Sequence, residues 1–174
     1  MKIWLIQIKV LLLIVFLLAP AQSYPGDETR HRRTLSGVPC IHVLVEEISD
    51  SLKQAGMSTT MLQTDAELRL RAAGIRVASE EQSFALPGSP YLYVKVTGLR
   101  DTTTKGKLLG YSADIEIQLV QDVRLERDAS IKVGTPTWSL GEIVGGPTVE
   151  IIRSSVRDLT DRFANAYLSA NPIK

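Results

Sequence analysis

The feature that most constrains the fold is a run of alternating apolar and polar residues in the second half of the chain. From Ala113 to Leu125, apolar side chains stand at every second position, and charged or amide side chains lie between them; only Val120 and Gln121 break the pattern. Successive side chains of a β-strand point to opposite faces. The run therefore predicts one long strand with a core face and a solvent face, which favours an antiparallel sheet covered on one side.

Four further stretches complete the predicted sheet. Residues 40–48, 75–77, 91–97 and 134–140 are rich in branched or aromatic residues and are bounded by turn-forming residues. Pro136 cannot donate a backbone hydrogen bond, so it places the last strand at an edge or a bulge.

Two amphipathic helices are predicted, one in each half of the chain. The first follows possible capping residues at 58–60 and ends at Gly74, and the second follows Thr148 and ends before Pro172. Their apolar side chains recur at helical spacing. The element order β-α-β-β-β-β-α predicts an α+β fold, a two-layer sandwich in which two helices cover one face of a mostly antiparallel sheet of about five strands.

The N-terminus has the pattern of a secretory signal peptide over residues 1–23. Lys2 and Lys9 precede a short uncharged apolar run, and small residues follow it, with cleavage expected after Ser23. The alternative is an uncleaved membrane anchor, but the uninterrupted run is about half the ~20 residues of a spanning helix. The sequence therefore predicts an exported protein, periplasmic or secreted, that is soluble after cleavage and meets the membrane only through the signal peptide.

The segment that follows is polar and lacks apolar periodicity. Residues 24–37 are therefore predicted to be a flexible linker, and residues 38–174 a single α+β domain. The one cysteine, Cys40, cannot form a disulfide within the chain, and its apolar neighbours predict a buried, inert thiol. No cysteine directly follows the apolar run, so the sequence does not favour a lipid-modified N-terminus.

Charge and motif content disfavour several classes of function. The 20 lysines and arginines almost balance the 19 aspartates and glutamates, so no basic stripe favours nucleic acid as a partner. Cys40 and His42 have no third metal ligand near them in sequence. Gly145 and Gly146 lack the lysine of a phosphate loop. We accordingly predict no catalytic residues, no metal site and no cofactor.

Three aromatic residues are the candidate binding residues. Tyr91 and Tyr93 occupy the polar side of their predicted strand, and Trp138 lies in the last strand. Exposed aromatic side chains on an open sheet face are a common binding surface. Tyr91, Tyr93 and Trp138 are therefore predicted to form a recognition patch on the solvent face of the sheet.

Several segments resemble a family of secreted bacterial proteins to which no activity is assigned. The resemblance lies in residues 67–75, 90–94, 121–127, 137–139 and 163–172, so it spans most of residues 40–172. In layout the domain also looks like small cell-envelope modules, such as the N-terminal domain of the Tol translocation protein and the lipoprotein activators of peptidoglycan synthases. Neither resemblance implies catalytic residues, and a shared architecture does not establish a function.

The sequence thus favours a non-catalytic interaction module of the cell envelope, with an envelope protein as its partner. Two alternatives stay open. One is a small-ligand carrier or enzyme whose site lies on the open sheet face, and the other is an envelope assembly factor held at the membrane by an uncleaved N-terminus. The sequence leaves the oligomeric state undetermined.

Overall fold

The computed structural model describes residues 26–172. The signal-peptide prediction for residues 1–23, with its cleavage after Ser23, lies outside the described residues. Among the helices of the described part, none is long and apolar enough to cross a bilayer.

The described chain contains four strands, five α-helices and one 3-10 turn. In chain order they are α1 (Thr29–Arg32), the 3-10 turn (Arg33–Leu35), β1 (His42–Val45), α2 (Asp50–Gln54), α3 (Thr59–Ala72), α4 (Glu80–Phe84), β2 (Tyr91–Thr102), β3 (Leu108–Leu125), β4 (Asp128–Gly146) and α5 (Glu150–Ala170).

The four strands form one mixed sheet in the order β1-β2-β3-β4. β1 runs parallel to β2, and the other pairs are antiparallel. The α+β class is confirmed, but the prediction of five strands is wrong. Residues 75–77 make only an isolated bridge between Ile41 and Val77, because Ile41 alone of its predicted strand exchanges backbone hydrogen bonds here, donating to the Arg76 carbonyl at 2.9 Å and accepting from the Ala78 N–H at 2.9 Å.

The break in the alternation at Val120 corresponds to a real irregularity of the sheet. Leu119 pairs with Trp138, whereas Val120 pairs with Pro136, so Thr137 is the extra residue of a bulge. The prediction that Pro136 marks an edge or a bulge is confirmed, since β4 is also an edge strand.

Both predicted long helices are present. The Ser58 hydroxyl accepts the Met61 N–H at 3.1 Å and caps α3. The apolar stripes of α3 and α5 are buried and join one core with the inner face of the sheet. The short helices α2 and α4 were not predicted. Leu52 of α2 packs directly over Gly98 of β2, where a Cβ atom would overlap its side chain.

Residues 26–37, the described part of the predicted linker, pack onto the domain. Leu35 is fully buried in the common core. The Asp27 carboxylate accepts hydrogen bonds from Arg32 at 2.6 and 2.8 Å and from the indole Nε1 of Trp138 at 2.8 Å. We call the contact among Asp27, Arg32 and Trp138 the N-terminal latch. It corrects the linker prediction, because local polarity does not reveal a partner more than a hundred residues away.

The two ends of the described chain also meet. Gly37 N–H donates to the Asn171 side chain at 2.8 Å, and Asn171 Nδ2 donates to the Leu35 carbonyl at 2.9 Å. The Tyr167 hydroxyl donates to the Val38 carbonyl at 2.5 Å. The segment after α1 is thereby tied to the last turns of α5.

Candidate functional site

The long helices α3 and α5 cover one face of the sheet, and we call the opposite surface, which α4 borders, the open face. The burial pattern of β2 and the strand register assign side chains to it. Its members are His42, Leu44, Tyr91, Tyr93, Lys95, Thr97, Asp114, Glu116, Gln118, Ser139 and Ile143.

Two of the three predicted binding residues lie on the open face. Tyr91 and Tyr93 are half-buried there, since Leu92 and Val94 point into the core. Tyr91 pairs with His42 of β1 and Tyr93 with Leu44. The tyrosines therefore form a compact aromatic and aliphatic patch with these two residues.

Trp138 is not part of this patch. Its side chain is only 1% exposed and its ring meets the edge of Phe163 at 5.0 Å between centroids. The prediction of a solvent-facing Trp138 is corrected on this point. The alternation with Leu140, also buried, was the sequence signal for an inward side chain.

Carboxylates surround the tyrosine patch. Burial raises the pKa of Tyr93 to about 12, and the hydrogen bond of its hydroxyl to Glu46 acts in the same direction. The Glu116 carboxylate accepts a hydrogen bond from Gln118 at 2.6 Å, while Lys95 stands opposite Glu116 in the register. With Glu46, Glu116 and Asp114 set against Lys95, this part of the open face carries more negative than positive charge.

The open face has shallow hollows at its borders. One, of about 150 Å³, lies between the tyrosine patch and α4 and includes Leu44, Phe84 and Tyr91. Another, of about 240 Å³, lies beside Glu46 and Lys95. Both are smaller than the ~300 Å³ at which small-molecule sites usually begin.

A wider groove lies at the other side of the molecule. It has a volume of about 590 Å³ and is lined by residues of the N-terminal segment and the end of α5, among them Arg32, Arg33 and Ser169. It is lined by none of the predicted binding residues.

The cysteine and histidine that first suggested metal chemistry are held in structural contacts. Cys40 is buried, as predicted, and its sulfur accepts a contact from Arg76 Nη2 at 3.5 Å. His42 Nδ1 lies 3.4 Å from the Ala78 carbonyl oxygen. Within residues 26–172, no three histidine, cysteine, aspartate or glutamate side chains form a cluster that could hold a metal ion.

Comparisons with known proteins do not assign a family. No family model matches the sequence, and no curated protein matches it. Among solved structures, the PelC dodecamer from Paraburkholderia phytofirmans is 17% identical over 84% of this chain and 93% of that chain, with a TM-score of 0.45.

Two lipoprotein structures are also similar in part. The minor lipoprotein from Acinetobacter baumannii is 13% identical over 75% of this chain and 92% of that chain, with a TM-score of 0.30. The rare lipoprotein B from Shewanella oneidensis is 14% identical over the same shares, also with a TM-score of 0.30. Structural similarity at these sequence identities and TM-scores does not support any conclusion about the function of this chain.

Proposed function

We propose that this protein is an exported, non-catalytic interaction module that binds an envelope protein on its open face. The observation that carries the proposal is the patch of Tyr91, Tyr93, Leu44 and His42, which presents aromatic and aliphatic surface on a rigid sheet. Aromatic side chains on a fixed scaffold lose little conformational freedom when they bind, and they are enriched in protein interfaces.

The charge around the patch defines the kind of partner surface. Glu46, Glu116 and Asp114 favour a partner that presents basic side chains around an apolar centre. Complementary charges at the rim of an interface mainly raise the association rate and make it depend on salt. We therefore expect binding to slow as ionic strength rises.

Site-specific photo-crosslinking in intact cells tests the proposal. A photoreactive amino acid replaces Leu44 in one variant and Leu68 in a matched control, because Leu68 is exposed on α3, away from the open face. We expect a discrete crosslinked envelope protein from position 44 and none from position 68.

The crosslinked protein is then purified and its affinity measured directly. Tyr93→Ala is expected to weaken binding by about 30-fold, the effect of removing a central interface residue. Leu68→Ala is expected to leave the affinity unchanged. Equal crosslinking from both positions, or equal affinities for Tyr93→Ala and wild type, contradicts the proposal.

The alternative of a small-ligand carrier or enzyme on the open face has less support. The hollows beside the tyrosine patch, of about 150 and 240 Å³, are small for such a site. The groove near Arg33 is larger but lies elsewhere.

A further inference from the structure

The outer edge of β4 divides into two halves with different properties. The half near the β3–β4 turn contains Lys132, Pro136 and the bulge, features that discourage another strand from pairing. The other half, residues 140–146, contains no lysine, no proline and no bulge. We call this second half the bare edge.

The strand register shows which backbone groups of the bare edge point outward. Ser139 N–H donates outward to the Gly26 carbonyl at 3.3 Å, and no register shift separates Ser139 from Gly146. Outward groups recur at every second residue of an antiparallel strand. The N–H and C=O groups of Gly141, Ile143 and Gly145 therefore point away from β3, and no described residue pairs with them.

The side chains of the bare edge are as unusual as its backbone. Ile143 is 83% exposed on the open face, more than any other large apolar side chain of the described part. Glycines stand two positions before it and two positions after it. A neighbouring strand would therefore meet one protruding isoleucine flanked by positions without side chains.

The bare edge is symmetric about Ile143. On one side it ends where the Gly26 carbonyl accepts the outward N–H of Ser139, and on the other side it ends at Pro147, which has no N–H to donate. Each boundary lies four residues from Ile143. The order glycine, isoleucine, glycine at positions 141, 143 and 145 reads the same in both directions. The same strand of a second molecule, running antiparallel, therefore matches it.

We infer that the occupant of this edge is a second copy of the chain, paired antiparallel through β4 with its two-fold axis at Ile143. Gly141 then lies opposite the partner's Gly145, and the two Ile143 side chains lie opposite each other. This arrangement forms about six backbone hydrogen bonds and joins the two sheets into one continuous sheet.

The charges on the strand agree with this register. Glu142 lies opposite the partner's Val144, so the pairing places no two like charges directly across from each other. The tyrosine patch lies toward the far edge of the sheet, on β1 and β2, so the dimer leaves it exposed in both copies. The inference therefore stands independently of the proposed partner.

Sedimentation velocity over a concentration series tests the inference. The protein is expressed with its complete N-terminal sequence and purified in the form in which it accumulates, at concentrations up to roughly 100 µM. We expect a reversible monomer–dimer equilibrium. Ile143→Lys places two ammonium groups face to face and removes the contact between the two isoleucines, so the dimer should weaken at least about tenfold.

Two further variants separate pairing from folding. Gly145→Pro removes an outward N–H that β3 does not use, and its Cβ would be 3.7 Å from the Tyr111 carbonyl oxygen, an ordinary contact. It should also weaken the dimer. Val133→Lys, at an exposed position of the other half of β4, should not change it.

The symmetry makes a sharper prediction. With a bismaleimide of short span, Ile143→Cys should crosslink two copies, whereas Val133→Cys should not, and the buried Cys40 should stay unreactive in both. A monomer at every concentration overturns the inference. So does a dimer that Ile143→Lys and Gly145→Pro leave intact, because that dimer uses another surface.

Discussion

Replacing Asp27 by alanine tests whether the N-terminal latch stabilises the whole domain. The Asp27 side chain is only 12% exposed and accepts the indole N–H of Trp138, itself almost completely buried. Without the carboxylate this donor has no partner, which costs about 1–3 kcal/mol. Arg32 is half exposed, so its ion pair adds at most about 1 kcal/mol. We expect Asp27→Ala to lower the free energy of unfolding by about 2–3 kcal/mol.

Urea titration followed by far-UV circular dichroism measures this loss. Asp27→Asn keeps an oxygen acceptor for Trp138 but loses the charge, so it should lose roughly half as much stability. Glu28→Ala is the matched control, because Glu28 is exposed and its side chain does not cap α1. The control should stay within about 0.5 kcal/mol of wild type.

The effect of Asp27 should also depend on pH. Burial raises the pKa of Asp27, but the hydrogen bonds from Arg32 and Trp138 outweigh burial and hold the pKa below its ordinary value of 3.8. A carboxyl group with a lowered pKa stabilises the folded state above its unfolded pKa and loses that contribution as pH falls through the folded pKa. The difference between wild type and Asp27→Ala should therefore shrink below about pH 4. If Asp27→Ala and Glu28→Ala unfold at the same urea concentration at pH 7, the latch contributes nothing and this reasoning fails.

Three further perturbations follow from other contacts. Gly98→Ala should destabilise the domain by about 1–3 kcal/mol in a urea titration, because the new Cβ overlaps Leu52, and Leu52→Ala in the same chain should recover part of the loss. Asp65→Asn should lower the free energy of unfolding by about 1–2 kcal/mol at pH 7, since the side chain of Asp65 is only 11% exposed and Arg153 binds it through two hydrogen bonds. Those hydrogen bonds lower the pKa of Asp65, so the difference from wild type should disappear in acid. A difference that persists in acid contradicts the ion-pair explanation. Tyr93 should ionise with a pKa of about 12 in a spectrophotometric titration, read as the difference between wild type and Tyr93→Phe, and a pKa near 10 would show that its hydroxyl is fully solvated.

Local patterns in the sequence were sufficient for several long elements of the fold, but not for β4, which was predicted over residues 134–140 and extends from Asp128 to Gly146. The alternation is directly visible as the two faces of β3 from Ala113 to Leu119, and its interruption at Val120 marks the bulge, beyond which Val123 and Leu125 are only partly buried. The capping residues at 58–60, of which Ser58 is the cap, and the helical spacing of the apolar residues located α3 for the same reason. In each case the information lies within a few residues of the element that it specifies.

The remaining features depend on contacts between distant parts of the chain. Nothing near Asp27 indicates that its carboxylate meets Trp138, and a polar segment with one leucine lacks the periodicity from which burial is inferred. Trp138 did leave a local signal, its two-residue spacing from Leu140, but its packing against Phe163 depends on how α5 lies on β4. α4 also has a local signal, the reciprocal capping box of Ser79 and Gln82.

The candidate site could be predicted only in part for the same reason. Tyr91 and Tyr93 were assigned to the solvent face by alternation, which the structure confirms. The high exposure of the Ile143 side chain could not be predicted from the sequence, because a single isoleucine between glycines has no periodicity of its own. It becomes significant only when β4 is known to be an edge strand.

The contacts between Gly37 and Asn171 and between Val38 and Tyr167 have a consequence for how the chain reaches its folded state. A ribosome delivers the N-terminal partner of each pair more than a hundred residues before the C-terminal one. Until α5 has been synthesised, the inner face of the sheet has no cover from that helix, and the segment around Leu35 has nothing to close against. The domain therefore completes its fold only after α5 has been synthesised, because these contacts close the core only then.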